Sequence, residues 1–238
     1  MVAGRALPPE TLESLRQASQ STGVDFDFLV AQARAESGFR GDVRSHIRHS
    51  TAAGLFQFTA QTWMQMMREH GAKYGHAALA SQIGVQPNGH LGTGDRATDK
   101  QILDLRQDVG LSALFAGELA KANAGKLRKA LGRPAGAADL HLAHLLCATG
   151  AIRFLRAHQA DATQPAAAIV PAAAKQNPSL FFDRGDHSPN TVAAVYRNVQ
   201  TRMEARLKHA AAMTATEGLR PGLGLSDALP RPRRSEGI

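Results

Sequence analysis

The chain has 238 residues, 43% hydrophobic and 20% charged, enough for one sizeable domain with a real core or for two small ones. Aromatics are only 5%, and alanine and leucine far outnumber valine and isoleucine, a composition that excludes a β-sandwich or barrel and favours helices. A lone cysteine, Cys147, excludes an internal disulfide, and no apolar run reaches the ~18 residues of a membrane span. Lysine and arginine outnumber the acids 28 to 20, a net charge of +8 that suits an anionic polymer partner. Neither a zinc-finger spacing nor the aromatic–basic signature of an RNA-binding sheet accompanies it.

Pro8-Pro9-Glu10 predicts the start of a first helix, with Leu12, Leu15 and Ala18 on one face and Gly23 closing it. Asp25 is the expected N-cap of a second helix that reaches Ser37 and stops at Gly38. Residues 39–58 read as a loop. Thr59 then caps a helix carrying Trp63, Met66, Met67 and His70, with Gly71 after it. Residues 84–97 hold five glycines or prolines and read as an exposed loop. Asp99 is expected to cap a short helix with Ile102 and Leu105. Asp108 caps a longer one with Leu111, Leu114, Phe115 and Leu119, again at i, i+3/i+4 apolar spacing.

Further helices are expected over 137–147, 150–159 and 189–212, the last burying Val192, Val195, Tyr196, Val199 and Met203. Residues 161–178, rich in alanine and proline, read as short helical turns. Residues 213–238 show no apolar periodicity and read as a disordered tail. The expectation is an all-α chain, with one domain over 8–212 followed by that tail. Residues 1–9 lack the basic start and apolar core of a secretory signal, so the chain either works in the cytoplasm or is a trimmed mature form.

The stretch that carries chemistry is Ala33-Arg34-Ala35-Glu36-Ser37-Gly38-Phe39, followed by Ala53-Gly54-Leu55-Phe56-Gln57-Phe58. Glu36 lies three residues after Ala33 and seven after Leu29, and so shares their helical face. A carboxyl on an apolar face is desolvated, its pKa rises, and it can serve as a general acid. An isolated glutamate at a helix end more often forms a structural ion pair, here with Arg34 or Arg40.

The combination is more specific. Glu-Ser-x-Phe at a helix end, then a loop, then Gly-Leu-x-Gln before a Thr-x-x-Thr-Trp helix resembles the lytic transglycosylase domain of the lysozyme-like superfamily. Ile102-Leu103-Asp104-Leu105-Arg106, Ala116-Gly117-Glu118 and Leu142-Ala143-His144-Leu145-Leu146 resemble a proteobacterial branch of it, so that the similarity spans roughly residues 20–200. The resemblance implies a lysozyme-like helical fold with Glu36 as the catalytic acid. It also implies Gln57 in the saccharide groove beside Phe56, which stands where many relatives have methionine. Ser50 falls near the family's serine at the substrate N-acetyl group, with Ser45 as its rival. His144 aligns with the tyrosine of the family's Tyr-Asn-Ala-Gly motif, whose asparagine becomes Leu145 and whose glycine becomes Cys147.

By that resemblance the substrate is the glycan strand of peptidoglycan, cleaved at the MurNAc–GlcNAc β-1,4 bond with a 1,6-anhydro product. The alternatives are a hydrolytic muramidase on the same fold and a non-catalytic wall-binding or assembly protein. A periplasmic or secreted monomer is expected, needing no metal and no cofactor, with an envelope-machinery protein as a conceivable partner. Nucleic acid is not expected, because the basic residues are scattered over several helices. Asp42 could be a second carboxylate, but Gly-Asp in a loop is usually a turn. His141 and His144 could face one side of a helix as a metal pair, yet no third ligand follows at a sensible spacing. Gly92-Thr93-Gly94-Asp95 reads as a plain turn, Cys147 as a small buried hydrophobe, and Trp63, Met66 and Met67 as core.

Overall fold

A computed structural model describes residues 7–42 and 51–216. The described chain is all-α, with one two-residue-per-strand hairpin. Its described residues divide into two compact units, one of those up to 119 together with 211–216 and the other of 120–210. Ser45 and Ser50 lie outside the described residues, as does the part of the expected tail beyond residue 216.

The first unit opens with α1 (Pro9–Thr22) and α2 (Phe26–Ser37), whose ends are those the sequence predicts. Asp25 caps α2 by accepting from the Phe28 N–H at 2.8 Å, and Gly23 and Gly38 close the two helices in the left-handed conformation. After residues 51–59 come α3 (Ala60–His70), a 3-10 turn (Gly71–Tyr74) and the single-turn α4 (Ala77–Ala80). The expected exposed loop over 84–97 contains a small hairpin, β1 (Gly84–Val85) antiparallel to β2 (Leu91–Gly92).

α5 (Arg96–Asp104) begins earlier than the sequence suggested. Its cap is Asp95, which accepts from the Thr98 N–H at 2.7 Å, whereas Asp99 sits inside the first turn and accepts from the Thr93 N–H and hydroxyl. Both aspartates match a cap by composition, but Asp99 is engaged by Thr93. α6 (Val109–Leu131) is capped by Asp108, as expected.

The core of this unit is built around Trp63. It is fully buried, donates from Nε1 to the Ile102 carbonyl at 2.7 Å, and meets Phe58 and Phe115 at ring separations of 5.4 and 4.9 Å. Such pairs add about 0.5–1.5 kcal/mol each beyond the area they bury. α1 and α6 pass closely at Gly117, where a β-carbon would lie 2.6 Å from the Thr22 hydroxyl.

The second unit contains the C-terminal part of α6, α7 (Ala137–Ala160), the short α8 (Ala166–Ile169), α9 (Pro171–Gln176) and α10 (Pro178–Phe181), and most of α11 (Val192–Thr216). The short helices are the helical turns expected for 161–178. α11 buries Val192, Val195, Val199 and Met203 as its sequence stripe requires, but runs to Thr216 instead of 212. Thr214 is buried and hydrogen-bonds Asp27 within the first unit. Ala210, Ala211 and Ala212 are the best of helix formers, so nothing ends the helix at the expected place.

Tyr196, expected in the apolar stripe, is only half-buried and donates to Asp139 Oδ1 at 2.9 Å. Asp139 is buried and also accepts from Arg133 and from the Gly136 N–H. Burial, followed by the Asp139 charge, pushes the Tyr196 phenol up to about 12.

The break expected near residue 148 occurs inside α7 at Cys147, at φ 57°, ψ 163°. Cys147 is exposed, which corrects its reading as a buried hydrophobe. The kink turns its side chain off the helix face that carries Ala143 and Leu146, both buried.

Candidate active site

Glu36 sits in the last turn of α2, one turn beyond Gln32. Leu29 and Ala33 on the same face are fully buried, and Glu36 is half-buried, as expected where an apolar stripe reaches a helix end. Gln32 is itself buried and donates from Nε2 to Glu36 Oε1 at 3.3 Å.

The chain then turns sharply. Gly38 and Phe39 both have positive φ, 61° and 66°. The Ser37 hydroxyl donates to the Ala33 carbonyl and accepts from the Arg40 N–H, both at 3.2 Å. Phe39 is buried, so its apolar anchorage offsets a left-handed conformation that costs a non-glycine residue roughly 1–2 kcal/mol. Glu36 therefore stands on a helix whose end is held by side chains on both sides of it. Asp42, the candidate second carboxylate, is exposed in the following turn.

Residues 53–58 form a tight loop closed by an isolated bridge between Ala53 and Phe58. Gly54 has φ 80°, and a β-carbon there would fall 1.9 Å from the Arg106 carbonyl oxygen, so only glycine fits. Gln57, at φ 50°, folds back on the loop, with its N–H and its Nε2 both donating to the Gly54 carbonyl at 3.1 and 2.9 Å. It is half-buried.

Phe56, expected against substrate, is 2% exposed and packs as core under the loop. The alternation of buried and half-exposed positions at 56 and 57 turns its ring inward. Trp63, Met66 and Met67 are core as expected, all at or below 1% exposure.

Arg106 braces this loop from the other side. It is 7% exposed, and its guanidinium donates to the carbonyls of Leu103, Thr51 and Phe58. A buried guanidinium satisfied by backbone carbonyls fixes the path of the segment it spans. The sequence shows no role for Arg106, since two of its three carbonyl partners, Thr51 and Phe58, lie about fifty positions away. Gln32 is legible locally, through its i, i+4 spacing to Glu36.

His144 belongs to the second unit, on α7. Its ring stacks on that of His141, with centroids 6.4 Å apart and an interplanar angle of 9°. His141 is buried, and its Nε2 lies 3.2 Å from an Arg206 guanidinium nitrogen. Among the described residues, no three histidine, cysteine or acidic side chains converge as metal ligands would.

The first unit thus brings a half-buried carboxyl with a fixed amide donor and a rigid glutamine-bearing loop into one fold. Comparison with known families covers this segment: residues 13–80, which run from α1 to α4 and include Glu36 and Gly54–Gln57, match the family model of the Transglycosylase SLT domain.

Proposed function

We propose that the protein is a peptidoglycan lytic transglycosylase that cleaves the MurNAc–GlcNAc β-1,4 bond, with Glu36 as its sole acid and base. The observation that carries this reading is Glu36 itself, half-buried at a braced helix end within the segment matching the transglycosylase family and held by Gln32. An ordinary glycosidase uses two carboxylates on opposite faces of the bond. A single carboxyl suffices where the substrate supplies the nucleophile.

Protonated Glu36 gives its proton to the glycosidic oxygen, and the C1–O4 bond breaks with its electrons passing to that oxygen. The muramyl N-acetyl group stabilises the positive charge developing at C1. The C6 hydroxyl of the same sugar attacks C1 and loses its proton to the Glu36 carboxylate, which restores the acid. The products are a 1,6-anhydro end and a free 4-hydroxyl, with no water consumed. Intramolecular attack in a well-aligned ring can supply about 7–11 kcal/mol of the barrier.

Gln57 lines the saccharide groove, and Phe56 supports the loop from beneath. The substrate contacts assigned to Ser50 and His144, and the proteobacterial affinity, rest on the family resemblance alone. A protein acting on peptidoglycan works in the periplasm or outside the cell, and among the described residues no helix is long and apolar enough to cross a membrane.

The test is Glu36→Gln, which keeps the shape of the side chain and removes its acid. Activity on purified sacculi should fall by about 10²–10⁴-fold, the usual contribution of general acid–base catalysis. A variant retaining a tenth of the activity would exclude Glu36 as the acid. Product masses decide the outcome of the reaction, since an anhydro end is lighter by one water than a hydrolysed one.

A further inference from the structure

The positive charge of this chain is not spread evenly through the fold. Residues 120–210, the second unit, contain 13 Lys and Arg against 5 Asp and Glu, a net +8, while the rest of the chain contains 15 of each sign. The basic residues that look scattered along the sequence thus leave their entire excess in the compact unit that lacks Glu36.

Little within the second unit neutralises them. Asp139 is buried and taken by Arg133 and Tyr196. Asp161, Asp183 and Asp186 are occupied by turn donors at Thr163, Gly185 and Ser188, which leaves the exposed Glu204 of α11 as the remaining acid. Lys126, Arg128 and Lys129 are exposed at the end of α6. On α11, a recess of about 420 Å³ is lined by Ala194, Arg197, Asn198, Thr201 and Arg202. This is the helix face turned away from the buried Val195, Val199 and Met203 stripe. Arg197 and Arg202 are exposed there and make no ion pair among the described residues. Beside them, Asn198 and Thr201 offer amide and hydroxyl donors. Each guanidinium can take a carboxylate through two parallel N–H···O bonds.

We propose that the α11 face around Arg197 and Arg202 binds the peptide-stem carboxylates of the wall, so that the second unit holds the protein on its polymer while the first carries the catalytic acid. This rests on the peptidoglycan reading above and adds to it a binding surface of its own. A surface of one sign raises the local concentration of an oppositely charged polymer by about 10–10³-fold and loses that effect in salt. Among the described residues the one large apolar side chain well exposed is Val85, in the first unit. The second unit therefore offers no exposed aromatic platform for nucleic-acid bases, which favours the carboxylate polymer.

The experiment is co-sedimentation of the full-length Glu36→Gln protein with intact sacculi, so that the polymer survives the assay. We expect binding at low salt, release as sodium chloride approaches about 1 M, where the screening length is near 3 Å, and about tenfold weaker binding for Arg197→Glu with Arg202→Glu, the lower end of such enrichment. Arg197→Lys with Arg202→Lys should keep most of it. Strands stripped of their stem peptides should bind the parent protein as poorly as intact sacculi bind the charge-reversed one. Arg197→Gln with Arg202→Gln, which removes the charge and keeps good helix formers, provides a second reading of the same face if the charge-reversed variant fails to fold. Undiminished binding by the charge-reversed or charge-neutral protein, or equal binding to stripped strands, would overturn the inference. Tighter binding of a short DNA duplex than of sacculi at the same salt would overturn it in favour of nucleic acid. Sacculi dissolving under the Glu36→Gln protein would instead count against the catalytic assignment, and the two failures are read separately.

Discussion

Gln32 and Glu36 form a donor–acceptor pair across one turn of α2, with the buried amide Nε2 3.3 Å from the half-buried carboxyl oxygen. A donor aimed at a carboxyl favours its ionised form. The pair orients one Glu36 oxygen.

Replacing Gln32 with Leu removes a donor that orients the acid. A hydrogen bond of this length contributes about 0.5–1 kcal/mol, so kcat/KM on sacculi should fall by about two- to fivefold. Gln32→Glu, which sets a second carboxyl where the amide stands, should cost more. A Gln32→Leu variant with the parental kcat/KM would deny Gln32 any part in holding the acid.

Gly54 is the position least able to change. A β-carbon there would sit 1.9 Å from the Arg106 carbonyl oxygen, and φ is 80°. Gly54→Ala should combine about 1–2 kcal/mol of left-handed strain with about 1–3 kcal/mol of overpacking. Thermal melting measures the loss, and a melting temperature within a degree of the parent would mean that the loop does not pack on Arg106 in this way.

Cys147 holds φ 57°, ψ 163°, a combination almost confined to glycine and worth about 1–3 kcal/mol of strain to other residues. Cys147→Gly should therefore stabilise the protein. The gain is reduced by the roughly 0.5–1 kcal/mol that glycine's unfolded-state freedom costs, so a rise of about 2–4 °C is expected. Cys147→Val should lower the melting temperature, and the opposite order of the two variants would show that the backbone at 147 is relaxed.

Glu118 links stability to pH. It is buried, and burial alone would push its pKa up. Hydrogen bonds from Lys73 and from the Tyr74 hydroxyl, the latter at 2.7 Å, outweigh this and hold it below the ordinary glutamate value, while Lys73 is pushed up to about 12. A carboxyl whose pKa is depressed by folding contributes stability above its unfolded value, and that contribution disappears as pH falls through the folded one. Glu118→Gln should lower the melting temperature at neutral pH, and the difference should shrink as pH drops below about 4. A deficit independent of pH would mean that only packing is lost.

Local physics made much of this protein readable without coordinates. The bounds of α1 and α2 follow from proline, aspartate and glycine acting within about four residues of themselves. Glu36 could be singled out because its neighbours in sequence are also its neighbours on the helix, and Trp63 and the methionines of α3 could be assigned to the core by spacing alone. The Glu-Ser and Gly-Leu-x-Gln pattern pointed to the family for the same reason, since each half is a contiguous turn. The inward turn of Phe56, the Arg106 brace, the Asp95 cap and the length of α11 are of another kind. Each depends on a partner far away in the chain or on a choice between two locally equivalent residues, which no periodicity encodes. The +8 excess of residues 120–210 is a sum over one contiguous stretch of sequence, and the tertiary structure contributes its limits, because only the packing of the helices shows that those residues form one compact unit.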